Sequence, residues 1–480
     1  MSLLLNTYIF ILNNSMDKKE WKDLSKFEKH SAVVERFGEK FCASPWNSFH
    51  EGPQGLVSTC CKTRSPIGYS HKQTFEEMYN SDHAKSVRAD FLAGKWPAQC
   101  KECWKTEVDG IPAMNRVHGN AMSTLENLET LVSATEADGT LHEHKPEWLD
   151  LLWTSKCNFA CMGCSPELSS TIHNKYRSAY ALLDTTAEEE YHSNMTEWEN
   201  GSTHKVDYVL KHADTIRSIH LNGGEPWMSE NTYELLEEML KRGLNKKIQI
   251  WSHTNGSITK GYKGVDIIED YLVHWGQNAK VTMSNDGFGS VGEYTRYGYR
   301  DAKWLETYAK VAATKIEITI QTCWNMFNAP TIHELGEWFV DNCAQTEQQR
   351  SGLHDRPDGS LTLWANSTLN PNMLWYFPEV KDRAIASLKQ CQRSGAHPIH
   401  WKENLPRWIN YLEGDSQKST VSKLYSSNDY KLLTYWYKGI NEMDRLRSTD
   451  LKTSVPALAD FYDFATEIVT KTDQTPNHTS

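Results

Sequence analysis

The sequence lacks the features that mark membrane, secreted and nucleic-acid-binding proteins. No apolar run is long enough to span a bilayer, and no basic segment or small-residue cleavage site accompanies the apolar stretch LLLNTYIFIL near the start. Acidic residues outnumber basic ones by 62 to 51, which gives a net charge of −11 and no general attraction to nucleic acid or anionic lipid. We therefore expect a cytoplasmic protein whose partners include neither a membrane nor nucleic acid.

The first residues leave two interpretations open. Residues 1–38 are predicted to form an N-terminal extension, in which the apolar stretch is a terminal strand or a packed segment. Alternatively, Met16, which opens MDKKEW, is the natural start and the residues before it are poorly ordered. Mass spectrometry of the N-terminus distinguishes the two.

Cysteine, by contrast, is plentiful and clustered. Without a secretory signal, clustered cysteines point to metal binding rather than to disulfides. Of the eleven cysteines, five lie before residue 110, namely Cys42, Cys60, Cys61, Cys100 and Cys103, and three lie close together at Cys157, Cys161 and Cys164. The remaining three, Cys323, Cys343 and Cys391, stand alone and are interpreted as small buried apolar side chains.

After residue 148, strand and helix patterns alternate along the chain. Strands are predicted in WLDLLWTS, TIRSIHLNGGEP, KKIQIWSHTNG, AKVTMSNDG and KIEITIQTCWN. Helices are predicted in ENTYELLEEMLKRGL, with Asn231 as N-cap and Gly243 as stop, and in VDIIEDYLVHWGQ, DAKWLETYAKVAAT and TIHELGEWFVDNC. This order predicts an α/β fold, a partial (β/α)6-type barrel of parallel strands, followed by a helical C-terminal region.

Polar turns follow four of the predicted strands. They are the cysteine stretch CNFACMGC, then NGGEP, HTNG and SNDG. In barrels and open α/β sheets, ligands bind at the carboxyl ends of the strands. The four turns are therefore predicted to converge on one mouth.

Three cysteines in CNFACMGC raise a question of ligand number. A structural zinc site takes four ligands, and an electron-transfer 4Fe-4S cluster takes four thiolates. Three thiolates in a Cys-x3-Cys-x2-Cys pattern can hold three irons of a cubane and leave the fourth iron open. An open iron is a place for a substrate to bind.

Together with LNGGEP, HTNG and SNDGFGSVGEYTRYG, the three-cysteine stretch resembles the radical S-adenosylmethionine superfamily. FCASPWNSFHEGPQGLVSTCC and FLAGKWPAQCKECW resemble the auxiliary-cluster module of its twitch and SPASM-like members, here N-terminal to the barrel. The resemblance covers roughly residues 40–110 and 148–340. The chain is identified by it as a member of the twitch-domain-containing radical S-adenosylmethionine proteins.

The resemblance implies a role for each matching residue. Cys157, Cys161 and Cys164 would bind the catalytic 4Fe-4S cluster, whose open iron takes the amino and carboxylate groups of S-adenosylmethionine. Glu225 would accept hydrogen bonds from that amino group, and Arg296 would pair with the carboxylate. The further cofactor-binding residues implied are Gly223, Gly224, Pro226, Ser252, Asn255, Ser284 and Asp286.

One position departs from the family pattern. A large residue usually precedes the third cysteine and packs on adenine, whereas this chain has Gly163 there. The packing residue is then Met162 or Phe159, and the sequence leaves the choice open.

The N-terminal cysteines would form an auxiliary metal site. Cys42, Cys60, Cys100 and Cys103 are the preferred ligands of a second 4Fe-4S cluster, with Cys61 as the alternate to Cys60. Pro45 and Trp46 complete the family's Cys-x-x-Pro-Trp motif. A zinc ribbon built on the same four cysteines is the rival interpretation.

These inferences define a domain plan and a function. The plan is an extension over 1–38, a cysteine-rich module over 39–110, the barrel over 148–345, a barrel-closing and helical region over 346–470, and a disordered tail over 471–480. The resemblance implies radical cleavage of S-adenosylmethionine, with a peptide or protein side chain as the substrate and a flavodoxin or ferredoxin as the one-electron reductant. The alternative is an iron–sulfur or zinc protein that binds or relays electrons without radical catalysis.

Overall fold

The computed structural model describes residues 20–63, 65–108, 112–183, 203–343, 377–394, 405–406, 409–410, 412–413 and 428–473. Its strands are β1 (Ser48–Glu51), β2 (Leu56–Ser58), β3 (Gly68–Tyr69), β4 (Trp148–Leu152), β5 (Ala160–Cys161), β6 (Ser218–Asn222), β7 (Gln249–Thr254), β8 (Ala279–Ser284), β9 (Arg296–Tyr297) and β10 (Glu317–Gln321).

The helices lie before, between and after these strands. In chain order they are α1 (Lys26–Phe37), α2 (Ser44–Asn47), α3 (Phe75–Tyr79), α4 (Asp82–Leu92), α5 (Lys101–Val108), α6 (Met114–Met122), α7 (Leu125–Ser133), α8 (Arg177–Leu183), α9 (Thr203–Lys211), α10 (Glu230–Lys241), α11 (Gly289–Thr295), α12 (Asp301–Ala312), α13 (Ile332–Cys343), α14 (Pro378–Ser394), α15 (Asn428–Arg447), α16 (Leu451–Ser454) and α17 (Ala459–Asp473). Within the described part of the chain, no helix has the length and apolarity needed to cross a membrane.

The chain divides into two compact units. The first lies within Met1–Leu151 and Asn200–His220, and the second within Leu152–Glu199 and Leu221–Ser480. All cysteines of the predicted auxiliary site belong to the first unit, and all three cysteines of the predicted catalytic site belong to the second. Each site is therefore built within one unit.

The first unit combines short strands with an aromatic core. Strand β1 pairs antiparallel with β2 and parallel with β4, and β2 pairs antiparallel with β3. Trp46 is fully buried, and its ring stacks on Phe41 with the ring centroids 4.9 Å apart. The predicted Pro-Trp motif thus anchors the loop that carries Cys42 in this core.

The second unit contains the parallel strands that position the predicted catalytic site. Strand β8 pairs parallel with both β7 and β10, with Ile250 opposite Ala279 and Ile318 opposite Val281. Alternate residues such as Val281 and Met283 are fully buried, as expected for a sheet covered by helices. The predicted α/β class, a parallel-rich sheet of partial-barrel type with a helical C-terminal region, is confirmed.

Several local predictions differ from the structure. The N-cap of α10 is Ser229, and Asn231 lies inside the first turn, whereas Gly243 does adopt a left-handed φ of +67° beyond the helix end. The segment predicted as one helix over VDIIEDYLVHWGQ is a single π turn over Ile267–Tyr271 followed by short 3-10 turns. Helix α17 continues to Asp473, three residues into the predicted tail. Much of the region from 346 to 427 lies outside the described residues.

Candidate metal centres

The three-cysteine loop leaves β4 and is held in shape by the residues that follow it. The backbone N–H of Cys157 donates to the Ser170 hydroxyl at 3.1 Å, and the Thr171 hydroxyl donates to the Cys157 carbonyl at 2.6 Å. Ser169 donates to the Phe159 carbonyl at 2.7 Å. The SST segment therefore fixes the loop before any metal binds, and nothing in the motif itself predicted this support.

Both glycines of NGGEP contact the backbone of the cysteine loop. A Cβ on Gly223, whose φ is +139°, would lie 2.6 Å from the Thr154 carbonyl oxygen. A Cβ on Gly224 would lie 2.5 Å from the Lys156 carbonyl oxygen. The Gly224 N–H also donates to Thr154 at 2.8 Å. Both glycines thus allow one loop to approach the other closely. Their contact with a cofactor, which the resemblance implies, stays a prediction.

Glu225 connects two of the predicted turns. Its carboxylate accepts the backbone N–H of Trp227 at 3.1 Å and of Asn255 at 2.6 Å. Burial raises the pKa of Glu225 to about 7, although these hydrogen bonds oppose the shift. The Thr254 side chain also hydrogen-bonds to this carboxylate. A carboxylate has about four lone-pair sites, so an amino group remains a chemically suitable donor to it.

Asn255 links the HTNG turn to the cysteine loop. Its Nδ2 donates to Asn158 Oδ1 at 2.9 Å and lies 4.0 Å from Cys157 Sγ. Its Oδ1 accepts from the Ser257 backbone at 2.9 Å. The side chain therefore orders the rim of the loop, and its contact with a cofactor stays a prediction.

Ser252 and Pro226 are buried residues that hold the NGGEP turn in place. The Ser252 hydroxyl is fully buried and accepts the indole N–H of Trp227 at 2.9 Å. Pro226 is buried at the start of the 3-10 turn Pro226–Met228, which carries that indole. These two residues position the NGGEP turn, and their direct binding to a cofactor stays a prediction.

Arg296 lies directly across from Cys161. The short strands β5 and β9 pair antiparallel with these two residues in register. Arg296 Nη1 donates to Asp286 Oδ2 at 3.2 Å, while its buried Nε has no hydrogen-bond partner. Burial opposes the charge, but Cys161 and Asp286 more than offset this and raise the pKa of Arg296. A permanent cation with an unused donor therefore lies beside the cysteine loop.

Asp286 and Ser284 follow strand β8. The second oxygen of Asp286 accepts the backbone N–H of Cys323 at 2.7 Å, so this carboxylate holds Arg296 on one side and the end of β10 on the other. Ser284 is half-buried, and its carbonyl accepts the Trp304 indole N–H at 3.1 Å. The predicted turn residues thus meet at one end of the parallel strands.

The thiols of this loop influence one another electrostatically. Burial, followed by Cys161, raises the pKa of Cys157 to about 12. Burial, followed by Cys161 and Cys157, raises the pKa of Cys164. Since metal-bound cysteine is a thiolate, loading a cluster must release these protons.

The residues next to Gly163 are arranged differently from the prediction. Met162 and Phe159 are both 1% exposed and belong to the core, so neither presents a surface for adenine. A Cβ on Gly163 would meet no atom within 4 Å. The glycine therefore leaves open space next to Cys164.

Two residues near this loop escaped the sequence analysis. Arg447, at the end of α15, donates to the Ala160 and Tyr294 carbonyls and to Met162 Sδ. Cys323, predicted to be a buried apolar side chain, is half-buried and contributes to the electrostatic environment of Arg296. Cys391 is fully buried as predicted, and the side chain of Cys343 lies outside the described residues.

In the first unit, four cysteines line one cavity. Cys42, Cys60, Cys100 and Cys103 all face it, and Cys61 does not. Cys61 is exposed, with its sulfur 4.0 Å from Asn115 Oδ1. The position of the side chains favours Cys60 over Cys61 as the fourth ligand.

Burial also raises the pKa of these thiols. That of Cys60 rises to about 11, with Cys42 as the next contribution, and that of Cys103 rises to about 12, with Cys42 and Cys60 next. Among the described residues, no group of three His, Cys, Asp or Glu side chains is close enough to share a single metal ion.

Arg116 is a further lining residue that the motifs did not predict. It is 3% exposed, donates to both carboxylate oxygens of Glu107 at 3.1 Å, and lies 5.2 Å above the Trp96 ring. It lowers the pKa of Cys42, Cys100 and Cys103, against the larger effect of burial. A buried cation therefore borders the auxiliary cavity as well.

Comparison with known proteins agrees with this geometry. Residues 42–104 match SPASM, a family described as an iron-sulfur cluster-binding domain, and residues 149–271 match Fer4_12, described as a 4Fe-4S single cluster domain. The resemblance to radical S-adenosylmethionine proteins with a SPASM-like module is confirmed. The two matches contain all eight predicted metal ligands, while Ser284, Asp286 and Arg296 lie beyond the second match.

A solved structure described as native anSMEcpe with bound AdoMet is 18% identical to this chain, with a TM-score of 0.28. The match covers 43% of this chain and 50% of that one, so the chain spans about half of the solved protein. A likeness of this size carries no argument about the present chain. No curated protein matches the sequence.

Proposed function

We propose that the protein is an enzyme that reductively cleaves S-adenosylmethionine at a 4Fe-4S cluster held by Cys157, Cys161 and Cys164. When bound there, the reduced cluster supplies one electron to the sulfonium, which gives methionine and a 5′-deoxyadenosyl radical able to abstract hydrogen from an unactivated carbon. The alternative of silent binding or electron relay would not require a buried cation with an unused donor beside the cysteine loop.

The observation that carries the proposal is the pairing of Cys161 with Arg296. A three-thiolate cluster leaves one iron open, and Arg296, which lies opposite Cys161, keeps its Nε–H unused in a buried position. A carboxylate on the open iron would meet this donor in a charge-assisted hydrogen bond. Methionine carboxylate is such a group, and Asp286 already orients the guanidinium for it.

Other residues would hold the reactants and exclude water. Glu225 is fully buried and offers a carboxylate to the amino group of the cofactor, while Asn255 keeps the rim of the loop in place. The open space at Gly163 would admit the adenosine portion next to Cys164. The adenine surface is then supplied by residues other than Met162 and Phe159.

The cavity lined by Cys42, Cys60, Cys100 and Cys103 would hold a second 4Fe-4S cluster. Four thiolates leave no iron open, which suits a role in accepting the electron left on a substrate radical. The substrate proposed is a peptide or protein side chain, and a flavodoxin or ferredoxin would supply the first electron. Metal analysis of the purified protein distinguishes this cluster from a zinc ion bound by the same cysteines.

The test is release of 5′-deoxyadenosine by anaerobically reconstituted, reduced protein given S-adenosylmethionine. We expect release from the native protein and none from Cys161→Ala. Cys103→Ala should retain release while losing modification of the substrate. Release that is independent of Cys161 would contradict the proposal, as would a Cys103→Ala variant that folds normally and no longer cleaves the cofactor.

A further inference from the structure

Arg447, the last residue of α15, packs its side chain against the cysteine loop. Its Nη2 donates to the Ala160 carbonyl, and its Nη1 donates to Tyr294 O at 3.3 Å and to Met162 Sδ at 3.2 Å. The guanidinium carbon lies 4.8 Å from the ring centroid of Tyr297. The side chain is thus fixed on both strands of the short β5–β9 ribbon.

This cation is buried without an anionic partner. Arg447 is 4% exposed, and its Nε has no hydrogen-bond partner. Within the described ranges, no carboxylate forms an ion pair with Arg447, whose acceptors are two carbonyls, a thioether and the Tyr180 hydroxyl. A buried charge without a counter-charge is costly, so proteins rarely keep one unless something else neutralises it.

The group able to supply the missing charge is the cluster loop itself. Ala160, whose carbonyl accepts from Arg447, is the neighbour of Cys161, and Tyr297 is the neighbour of Arg296 on the facing strand. Three thiolates around a 4Fe-4S core carry net negative charge in a buried place. Arg447 would then lie close to that charge, next to the residue that precedes Cys161.

We propose that Arg447 is the buried counter-ion of the catalytic cluster and raises its reduction potential. This inference rests on the proposed function, because it requires a cluster on Cys157, Cys161 and Cys164. A cluster becomes more negative when it takes up an electron, so a fixed cation nearby stabilises the reduced state more than the oxidised state. Helix α15, which neither family match includes, would thereby contribute to the redox chemistry of the barrel.

The test is a redox titration of the reconstituted holoprotein without S-adenosylmethionine. Electron paramagnetic resonance measures the reduced cluster at each potential. The variants are Arg447→Gln, which removes the charge, and Arg447→Lys, which keeps it. Arg445→Gln is the matched control, because Arg445 lies on the same helix, is exposed and pairs with Glu442 at 2.7 Å. The auxiliary cluster in the same sample serves as an internal reference.

We expect Arg447→Gln to lower the ratio of reduced to oxidised catalytic cluster about tenfold at a fixed potential, which is about 59 mV for a one-electron couple. Arg447→Lys should stay near the native value, and Arg445→Gln should not change it. A folded Arg447→Gln variant with an unchanged potential would overturn the proposal. So would Arg447→Lys behaving like Arg447→Gln, because shape rather than charge would then matter.

If Arg447→Gln loses the catalytic cluster, its potential cannot be measured, and Arg447→Lys becomes the deciding variant. Retention of the cluster there, with a near-native potential, supports a counter-ion, and loss there refutes it. A native protein without any Cys161-dependent signal would refute the proposed function itself. A native cluster that is insensitive to Arg447 would refute only the counter-ion.

Discussion

Gly224→Ala is the substitution for which the structure gives the most direct cost. The added Cβ would lie 2.5 Å from the Lys156 carbonyl oxygen and 2.6 Å from the Ser155 carbonyl oxygen. Both are backbone atoms of the cysteine loop, so no side chain can rotate away to relieve the contact. The φ of Gly224 lies outside the left-handed region, and the effect is therefore one of space alone.

The size of the effect follows from what must move. Forcing extra volume into a packed site costs about 1–3 kcal/mol. The two loops are also joined by the hydrogen bonds from Gly224 N to Thr154 O and from Glu225 N to Lys156 O, both 2.8 Å. Every 1.4 kcal/mol changes an equilibrium constant tenfold. We therefore expect the equilibrium constant for the cluster-binding conformation of the loop to fall about 5- to 150-fold.

The assay compares iron content and thermal unfolding of Gly224→Ala with those of Gly163→Ala. Gly163 lies in the cysteine loop that Gly224 contacts, has no atom within 4 Å of an added Cβ and does not have a left-handed φ. We expect reduced iron binding and a lower unfolding temperature for Gly224→Ala, and near-native unfolding for Gly163→Ala. Equal behaviour of the two variants would refute the steric argument.

Three further predictions follow from the contacts of the two sites. The pKa of Glu225 is raised from 4.5 to about 7 in the folded protein, so the folded state binds this proton more tightly than the unfolded state. The free energy of unfolding of the apoprotein should therefore fall, relative to that of Glu225→Gln, as the pH rises from 4.5 through 7. The same pH dependence in both proteins, measured by denaturation, would contradict this. Cys60→Ala should lose the auxiliary metal while Cys61→Ala keeps it, as measured by metal content, and the reverse result would exclude the cavity as the site. Arg296→Lys should weaken S-adenosylmethionine binding about 10- to 150-fold in a titration, because a charged hydrogen bond contributes about 1.5–3 kcal/mol. Unchanged affinity would remove Arg296 from the cofactor site.

The sequence predicted those features that depend on alternation and on spacing. Strands β4, β7, β8 and β10 appear where apolar residues alternate, and the turns after them meet at one end of the sheet. The helix pattern over VDIIEDYLVHWGQ failed because an apolar period of helical type does not specify the hydrogen-bond pattern of its backbone.

Other features could not be predicted because they depend on contacts between distant parts of the chain. Arg447 reaches the carbonyl of Ala160 across 287 residues, and no local pattern marks it. Ser252 follows a strand, as a ligand-binding residue would, yet its hydroxyl is used by Trp227. The choice between Cys60 and Cys61 required the direction of each side chain, which adjacent positions in a turn do not reveal.

The measurement that tests the account most directly is electron paramagnetic resonance of the reduced Cys100→Ala, Cys103→Ala double variant, with and without S-adenosylmethionine. This variant is expected to keep only the cluster on Cys157, Cys161 and Cys164. We predict a cluster signal that shifts when the cofactor is added, because the cofactor binds the open iron beside Arg296. A signal that the cofactor leaves unchanged, or a folded variant without any cluster, would contradict the three-thiolate site.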